Sequence, residues 1–169
     1  SFSTLSVLFI LFFLVPDIDN KMFLITITIP LTIFLFFNFA IFNLPKLFLG
    51  DSGSLLLGFL ISFILIYLAN QKAIHPILLA WSVVIFVYEF LSLNIQRIQN
   101  KRNPFKAGLD HLHHKLFRKT KSIFLTNVCL VLLNICMFFV GYLSFIYINS
   151  FGSLIIFVIL FTVFNHVRK

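Results

Sequence analysis

Six apolar runs alternate with short polar connections along this chain, over residues 2–15, 22–44, 55–69, 77–95, 123–148 and 151–164. A bilayer's hydrocarbon core is crossed by roughly 20 helical residues, fewer where flanking polar groups snorkel. The pattern therefore predicts an all-α polytopic membrane bundle of about six transmembrane helices, a single transmembrane domain over residues 1–169. The first and last runs are the shortest. Pro30, inside the second run, is expected to kink that helix rather than end it.

The connections are PDIDNK (16–21), PKLFLGDSGS (45–54), NQKAIHP (70–76), a long loop over 96–122 and a tight turn near Asn149. The long loop carries Arg97, Lys101, Arg102, Lys106, Lys115, Arg118, Lys119 and Lys121, and Lys46 stands in the second connection. Arg168 and Lys169 close the chain, whereas the alternate connections offer only Lys21 and Lys72. Basic residues collect on the cytoplasmic side of a membrane. The basic set is thus cytoplasmic, and with six spans both chain ends lie there too. The same count opens the 45–54 and 96–122 connections on one face, so that residues distant along the chain share one cytoplasmic site. One span more or fewer would put them on opposite sides.

Composition narrows the class. Hydrophobic residues make up 60% of the 169, only 11% are charged, there are 25 Phe, and the mean hydropathy is +1.07. A soluble domain of this size cannot hide so much apolar surface. The formal charge of +8 raises the question of nucleic acid. The basic residues flank apolar runs, however, so membrane orientation and lipid phosphate account for them, and no nucleic acid partner is expected. Cys129 and Cys136 sit in one apolar run and read as fillers rather than a disulfide or metal framework. No initiator Met, basic leader or cleavage motif opens the chain. It reads as the C-terminal part of a longer protein.

Two polar stretches, GDSGS (50–54) and DHLHHKL (110–116), interrupt this oily background. In the first, Gly50 and Gly53 permit a tight turn and a close approach to a ligand. Asp51 supplies a hard oxygen ligand, and Ser52 and Ser54 are placed to cap a helix starting near Ser54, whose N-terminus favours an anion. The plain alternative is a Gly/Ser turn with a capping Asp. Mg²⁺ takes one or two carboxylates plus substrate phosphates and water, so Asp51 needs company. Asp110 is one candidate and Glu89, inside the fourth run, is another. A carboxylate within a membrane segment is either functional or hydrogen-bonded to a neighbouring helix. Asp17 and Asp19 fall in the opposite connection and read as solvated.

In the second stretch, three imidazoles in four positions offer either metal ligands or donors to phosphate. On a helix His111 and His114 would share a face and His113 would point elsewhere. Zn²⁺ wants a third or fourth ligand, and neither Cys is near in sequence. Phosphate contact suits the basic setting better, with Arg97, Lys101, Arg102, Lys106 and Lys115 around it. Arg118, Lys119 and Lys121 are assigned to anionic lipid headgroups, His75 and His166 to the interface, and Asn103-Pro104-Phe105 to a turn.

PKLFLGDSGSLLLGF (45–59), followed by NPFKAGLDHLHHKL (103–116), resembles the polyprenyl-phosphate N-acetylhexosamine-1-phosphate transferases, glycosyltransferase family 4. The resemblance implies Mg²⁺-dependent (or Mn²⁺-dependent) transfer of a sugar-1-phosphate, GlcNAc-1-phosphate above all, from a UDP-sugar to undecaprenyl or another polyprenyl phosphate, with release of UMP. It implies a multi-pass protein of the bacterial inner membrane with a cytoplasmic active site, initiating lipopolysaccharide or a related cell-envelope glycan, and a homodimer is compatible with it. By the same resemblance Asp51 is the catalytic, Mg²⁺-linked aspartate. His111, His113, His114, Arg97 and Lys46 are the residues that meet substrate phosphate. The HxHH form is similar to the branch initiating O-antigen and teichoic acids, and the phospho-MurNAc-pentapeptide translocases are the alternative. A non-catalytic subunit or a transporter fragment lining an ion path is the rival outside the family. The chain departs from the family pattern at Gly108, where an acidic residue is usual, and at Phe86-Val87-Tyr88-Glu89, which replaces Pro-x-x-Asp. The family's DDxxD and NxxNxxDG motifs are absent from these 169 residues, so the chain alone is expected to be inactive.

Overall fold

The structure is a computed structural model that describes residues 2–38, 45, 47–101, 103 and 111–168. Eight helices and no strands occur among the described residues: α1 (Phe2–Leu14), α2 (Ile18–Asn38), α3 (Gly50–Asn70), α4 (Pro76–Ser82), α5 (Val84–Gln99), α6 (Leu112–Thr120), α7 (Ile123–Tyr147) and α8 (Ser150–Arg168). The all-α membrane class follows. The count of about six spans needs correction. Among the described residues only α2, α3, α7 and α8 are long and apolar enough to cross a bilayer singly. At 13 residues, α1 rises about 20 Å, short of the roughly 30 Å hydrocarbon core. The fourth run is divided at Val83 into α4 and α5, a bent pair that makes a fifth span if its halves cross together. Pro30 does not end α2, as expected.

The chain forms two compact units, Ser1–Leu79 and Ala80–Lys169. In the first, α1 packs on α2, burying Val7, Leu8 and Leu11 of α1 and Leu24, Leu31 and Leu35 of α2. Phe23 of α2 meets Tyr67 of α3 at 5.9 Å between ring centroids. Within α2, Thr26, Thr28 and Thr32 donate their hydroxyls to the carbonyls of Met22, Leu24 and Thr28. A threonine that bonds its own helix leaves no polar demand on its surroundings, which is how this sequence tolerates hydroxyls in an apolar run.

The second unit gathers α5, α7 and α8, with α6 against α7. Its interior is small and polar where the helices approach, as membrane helices require when lipid supplies no hydrophobic drive. Trp81 donates its indole N–H to Ser153 Oγ at 2.9 Å, and Ser144 Oγ stands 2.9 Å from the same oxygen. Tyr88 donates to the Phe157 carbonyl and Ser92 to Asn165 Oδ1 at 2.8 Å. The break at Val83 is stitched by fully buried Asn134 of α7, whose Nδ2 donates to the Ser82 carbonyl (3.0 Å) while its Oδ1 accepts from Ile85 N–H (3.5 Å). Backbone groups freed at a broken helix must be satisfied from within the protein when no water is near, and one amide answers both.

A two-residue link joins α6 to α7. Lys121 takes left-handed φ 52° and ψ 14° and donates its N–H to the Phe117 carbonyl at 2.8 Å, and Ser122 Oγ caps α7 by accepting from Leu125 N–H. A β-carbon in that conformation costs about 1–2 kcal/mol, partly offset in glycine by its larger unfolded-chain entropy. Lys121→Gly is therefore expected to stabilise the protein by about 0.5 kcal/mol net, read as a small rise in its thermal unfolding midpoint in detergent.

Candidate functional site

Asp51 lies in the first unit. Gly50, at φ +66° with open space around the position of a β-carbon, brings the chain into α3. The helix begins at Gly50, four residues ahead of the expected start near Ser54, so Asp51 occupies its first turn. Ser52 and Ser54 do not cap it. The N-cap is Leu49, with no side-chain bond, and Ser54 Oγ donates instead to the Asp51 carbonyl at 2.8 Å. An exposed carboxylate at the positive end of a helix macrodipole is favourably placed, and its oxygens stay available to a ligand. Lys46 lies outside the described residues, as do Arg102, Lys106, Gly108, Asp110 and the Pro104-Phe105 half of the expected turn.

The histidines lie in the second unit, with a partner that the sequence leaves ambiguous. His111 is the N-cap of α6, in extended conformation (φ −66°, ψ 149°). Because it is not helical, the helical-face argument fails for it. His113 does not point away. The three rings form one cluster, with centroids 5.3 Å apart for His111 and His113, 6.3 Å for His111 and His114, and 4.2 Å for His113 and His114.

Glu89 of α5 reaches this cluster. Its Oε1 lies 3.2 Å from His111 Nδ1 and accepts the Leu112 N–H at 2.8 Å. The carboxylate thus caps α6 from another helix, where the sequence gives α6 no capping side chain of its own, and places negative charge at the N-terminal end that favours it. Glu89 is 18% exposed and His111 42%. Of the two readings of an intramembrane carboxylate, the structure shows the bond to a neighbouring helix. Arg168 of α8 donates to the Glu89 carbonyl (3.1 Å), and Lys115 Nζ donates to the Arg168 carbonyl (2.6 Å), so α5, α6 and α8 are tied together around the histidines.

Desolvation holds His113 below the usual imidazole range, helped by neighbouring His114 and His111 and opposed by Glu89. Its neutral form, with a lone pair for a ligand or acceptor role, is favoured near pH 7. Arg97 sits in the last turn of α5, about 12 Å of helix rise beyond Glu89. Lys115, Arg118 and Lys119 give α6 a basic, solvent-facing side. Among the described residues, Glu89, His111 and His113 are the group whose ligand atoms all fall within 4.8 Å of one another. Cys129 and Cys136 are exposed on α7 and far from it in sequence.

Residues 1–69 match the family described as Glycosyl transferase family 4, a stretch that includes GDSGS and stops short of the histidines. The resemblance to that family, first read from two motifs, is thus shown across the first of them. The undecaprenyl-phosphate alpha-N-acetylglucosaminyl 1-phosphate transferase of Pasteurella multocida (strain Pm70) is 31% identical over 75 residues, covering 43% of this chain and 21% of that protein. The proteins of the same name from Escherichia coli (strain K12) and Haemophilus influenzae are also 31% identical over 75 residues, covering 43% of this chain and 20% and 21% of theirs. The match spans about a fifth of the length of these relatives. No solved structure matches the chain.

Proposed function

We propose that this chain is part of a transferase that moves GlcNAc-1-phosphate from a UDP-sugar to undecaprenyl phosphate or a related polyprenyl phosphate at the cytoplasmic face of a bacterial inner membrane. The product would begin a lipid-linked cell-envelope glycan such as lipopolysaccharide. The observation that carries this reading is the family match over the segment holding Gly50, Asp51, Gly53 and Ser54. The membrane-spanning helices and the names of the relatives support it. Because the match spans so small a part of those relatives, the activity is assigned to the full-length gene product and not to these 169 residues alone.

In the reaction an oxygen of the lipid phosphate attacks the β-phosphorus of the UDP-sugar. A new P–O bond forms there, the bond from that phosphorus to the oxygen bridging to the α-phosphorus breaks, and UMP departs with the bridging oxygen. Such transfers are governed by positioning and by neutralising charge on phosphate oxygens. Asp51 suits Mg²⁺, being an exposed hard-oxygen donor at a helix start that draws phosphate. When bound, the ion would neutralise the diphosphate. His111, His113, His114, Arg97 and Lys46 are assigned to phosphate oxygens, with Arg97 able to grip two at once. Glu89 fixes the start of α6, and with it the spacing of the three rings.

The test is a panel of radiolabelled UDP-sugars offered to membranes carrying the full-length protein. UMP release with label moving into the lipid fraction, strongest for UDP-GlcNAc, is the expected result. Label that stays water-soluble with every sugar would overturn the reading.

A further inference from the structure

We infer that Glu89, His111 and His113 form a binding site for a divalent transition metal, of the zinc or cobalt type, separate from the Mg²⁺ assigned to Asp51. The histidine pair alone lacks a third ligand, and no cysteine is near to supply one. The fold supplies it from α5. Glu89 is 22 residues upstream of His111, and its Oε1 stands 3.2 Å from His111 Nδ1. Two ligands of a tetrahedral metal with bonds of about 2.0–2.1 Å lie about 3.3 Å apart. That pair is already at ligand spacing. His113 belongs to the same group within 4.8 Å, and its exposed side chain closes the remaining gap by a rotation of its ring. On metal binding His111 carries its proton on Nε2 and offers Nδ1 to the ion.

Chemistry selects the metal. Two imidazoles and one carboxylate suit zinc and its neighbours rather than Mg²⁺, which prefers oxygen ligands and keeps its water. The carboxylate is also held, as the ligands of working metal sites are: the Leu112 N–H donates to the same Oε1 at 2.8 Å, and α6, which carries the histidines, is anchored through Lys115 to Arg168. Three protein ligands leave at least one position open, the arrangement of a site that meets a substrate and not of one that only braces a fold. Phosphate oxygen is the ligand class for that position, given the basic face of α6, so that with the metal bound His111 and His113 meet substrate phosphate through the ion and His114 meets it directly. This last step rests on the transferase reading. The metal site itself does not.

The protein is purified full-length in detergent with a tag free of histidine, then titrated with Co²⁺ in the absence of nucleotide and followed by its visible absorption. One saturable Co²⁺ per chain, displaced by Zn²⁺ and not by Mg²⁺, is expected. Glu89→Gln and His113→Ala should each weaken Co²⁺ by more than the roughly 10- to 100-fold cost of losing an outer-shell partner. Asp51→Asn and His75→Ala should leave the titration unchanged. His113→Ala removes an exposed side chain, so it keeps the test decisive even if Glu89→Gln unfolds the loop. Absence of a saturable cobalt spectrum, or His113→Ala binding like the wild type, would sink the site while leaving the UDP-sugar panel untouched.

Discussion

Asp51→Asn is expected to lower sugar-phosphate transfer by about 10³-fold in membranes carrying the full-length protein, while leaving its expression unchanged and lowering its stability by no more than about 1 kcal/mol. The size follows from the proposed role of Asp51, since a metal-held diphosphate would lose several kcal/mol of charge stabilisation with its carboxylate, at about 1.4 kcal/mol per tenfold. The small structural cost follows from the site. Asp51 is exposed in the first turn of α3, and the Ser54 hydroxyl bonds its backbone carbonyl, which Asn retains. Its charge at the helix N-terminus contributes only about 0.3–1 kcal/mol. Asp17→Asn, which changes an exposed carboxylate in the first connection, serves as the control with full activity. Label transfer from UDP-GlcNAc into lipid, measured beside melting in detergent, separates the outcomes. Activity retained by Asp51→Asn would remove Asp51 from the chemistry, and a loss matched by a fall in melting temperature would return it to a structural role.

The helices were legible because each apolar run is long and its ends are polar. Residues 55–69 and 123–148 are found as the cores of α3 and α7 with errors of a few residues. The break in the fourth run was not. Ser82-Val83-Val84-Ile85 reads as uninterrupted apolar helix, and what stabilises the bend is the side chain of Asn134, 52 residues beyond Ser82. The break leaves the span count between four and five, and the 13 described residues of α1 do not add another by their own length. Both motifs were visible as polar islands, yet their local geometry was not. A helix start at Gly50 needs a positive φ that the sequence permits but does not announce. The turn toward His113 depends on His111 remaining extended, because its neighbour Leu112 is capped by a carboxylate from α5. Glu89 offered one signal, a lone acid in an apolar run, and that signal names no partner.

Gly141→Ala is expected to destabilise the second unit by about 3 kcal/mol, near the upper end of the range for forcing a methyl into a packed core. Gly141 of α7 faces the indole of Trp81, and a β-carbon there would overlap the ring itself. Trp81 cannot yield. It is fully buried, its ring lies edge-on to Phe157 with centroids 4.9 Å apart, and its N–H is committed to Ser153. The Gly141 carbonyl also accepts from Ser144 and Ser153, so moving the backbone aside breaks the hydroxyl chain that joins α7 to α8. Small residues at membrane helix contacts exist to allow this approach. Gly58 of α3 is the opposite case, with open space where its β-carbon would lie. Gly58→Ala should gain up to about 1 kcal/mol of helix propensity. Size-exclusion profiles after a heating series in detergent would compare the two alanines. Shrinking the ring with Trp81→Leu should make Gly141→Ala cheaper than it is alone, a coupling of at least about 1 kcal/mol between touching positions. Additive losses in that double variant would mean that the indole is not what the methyl strikes.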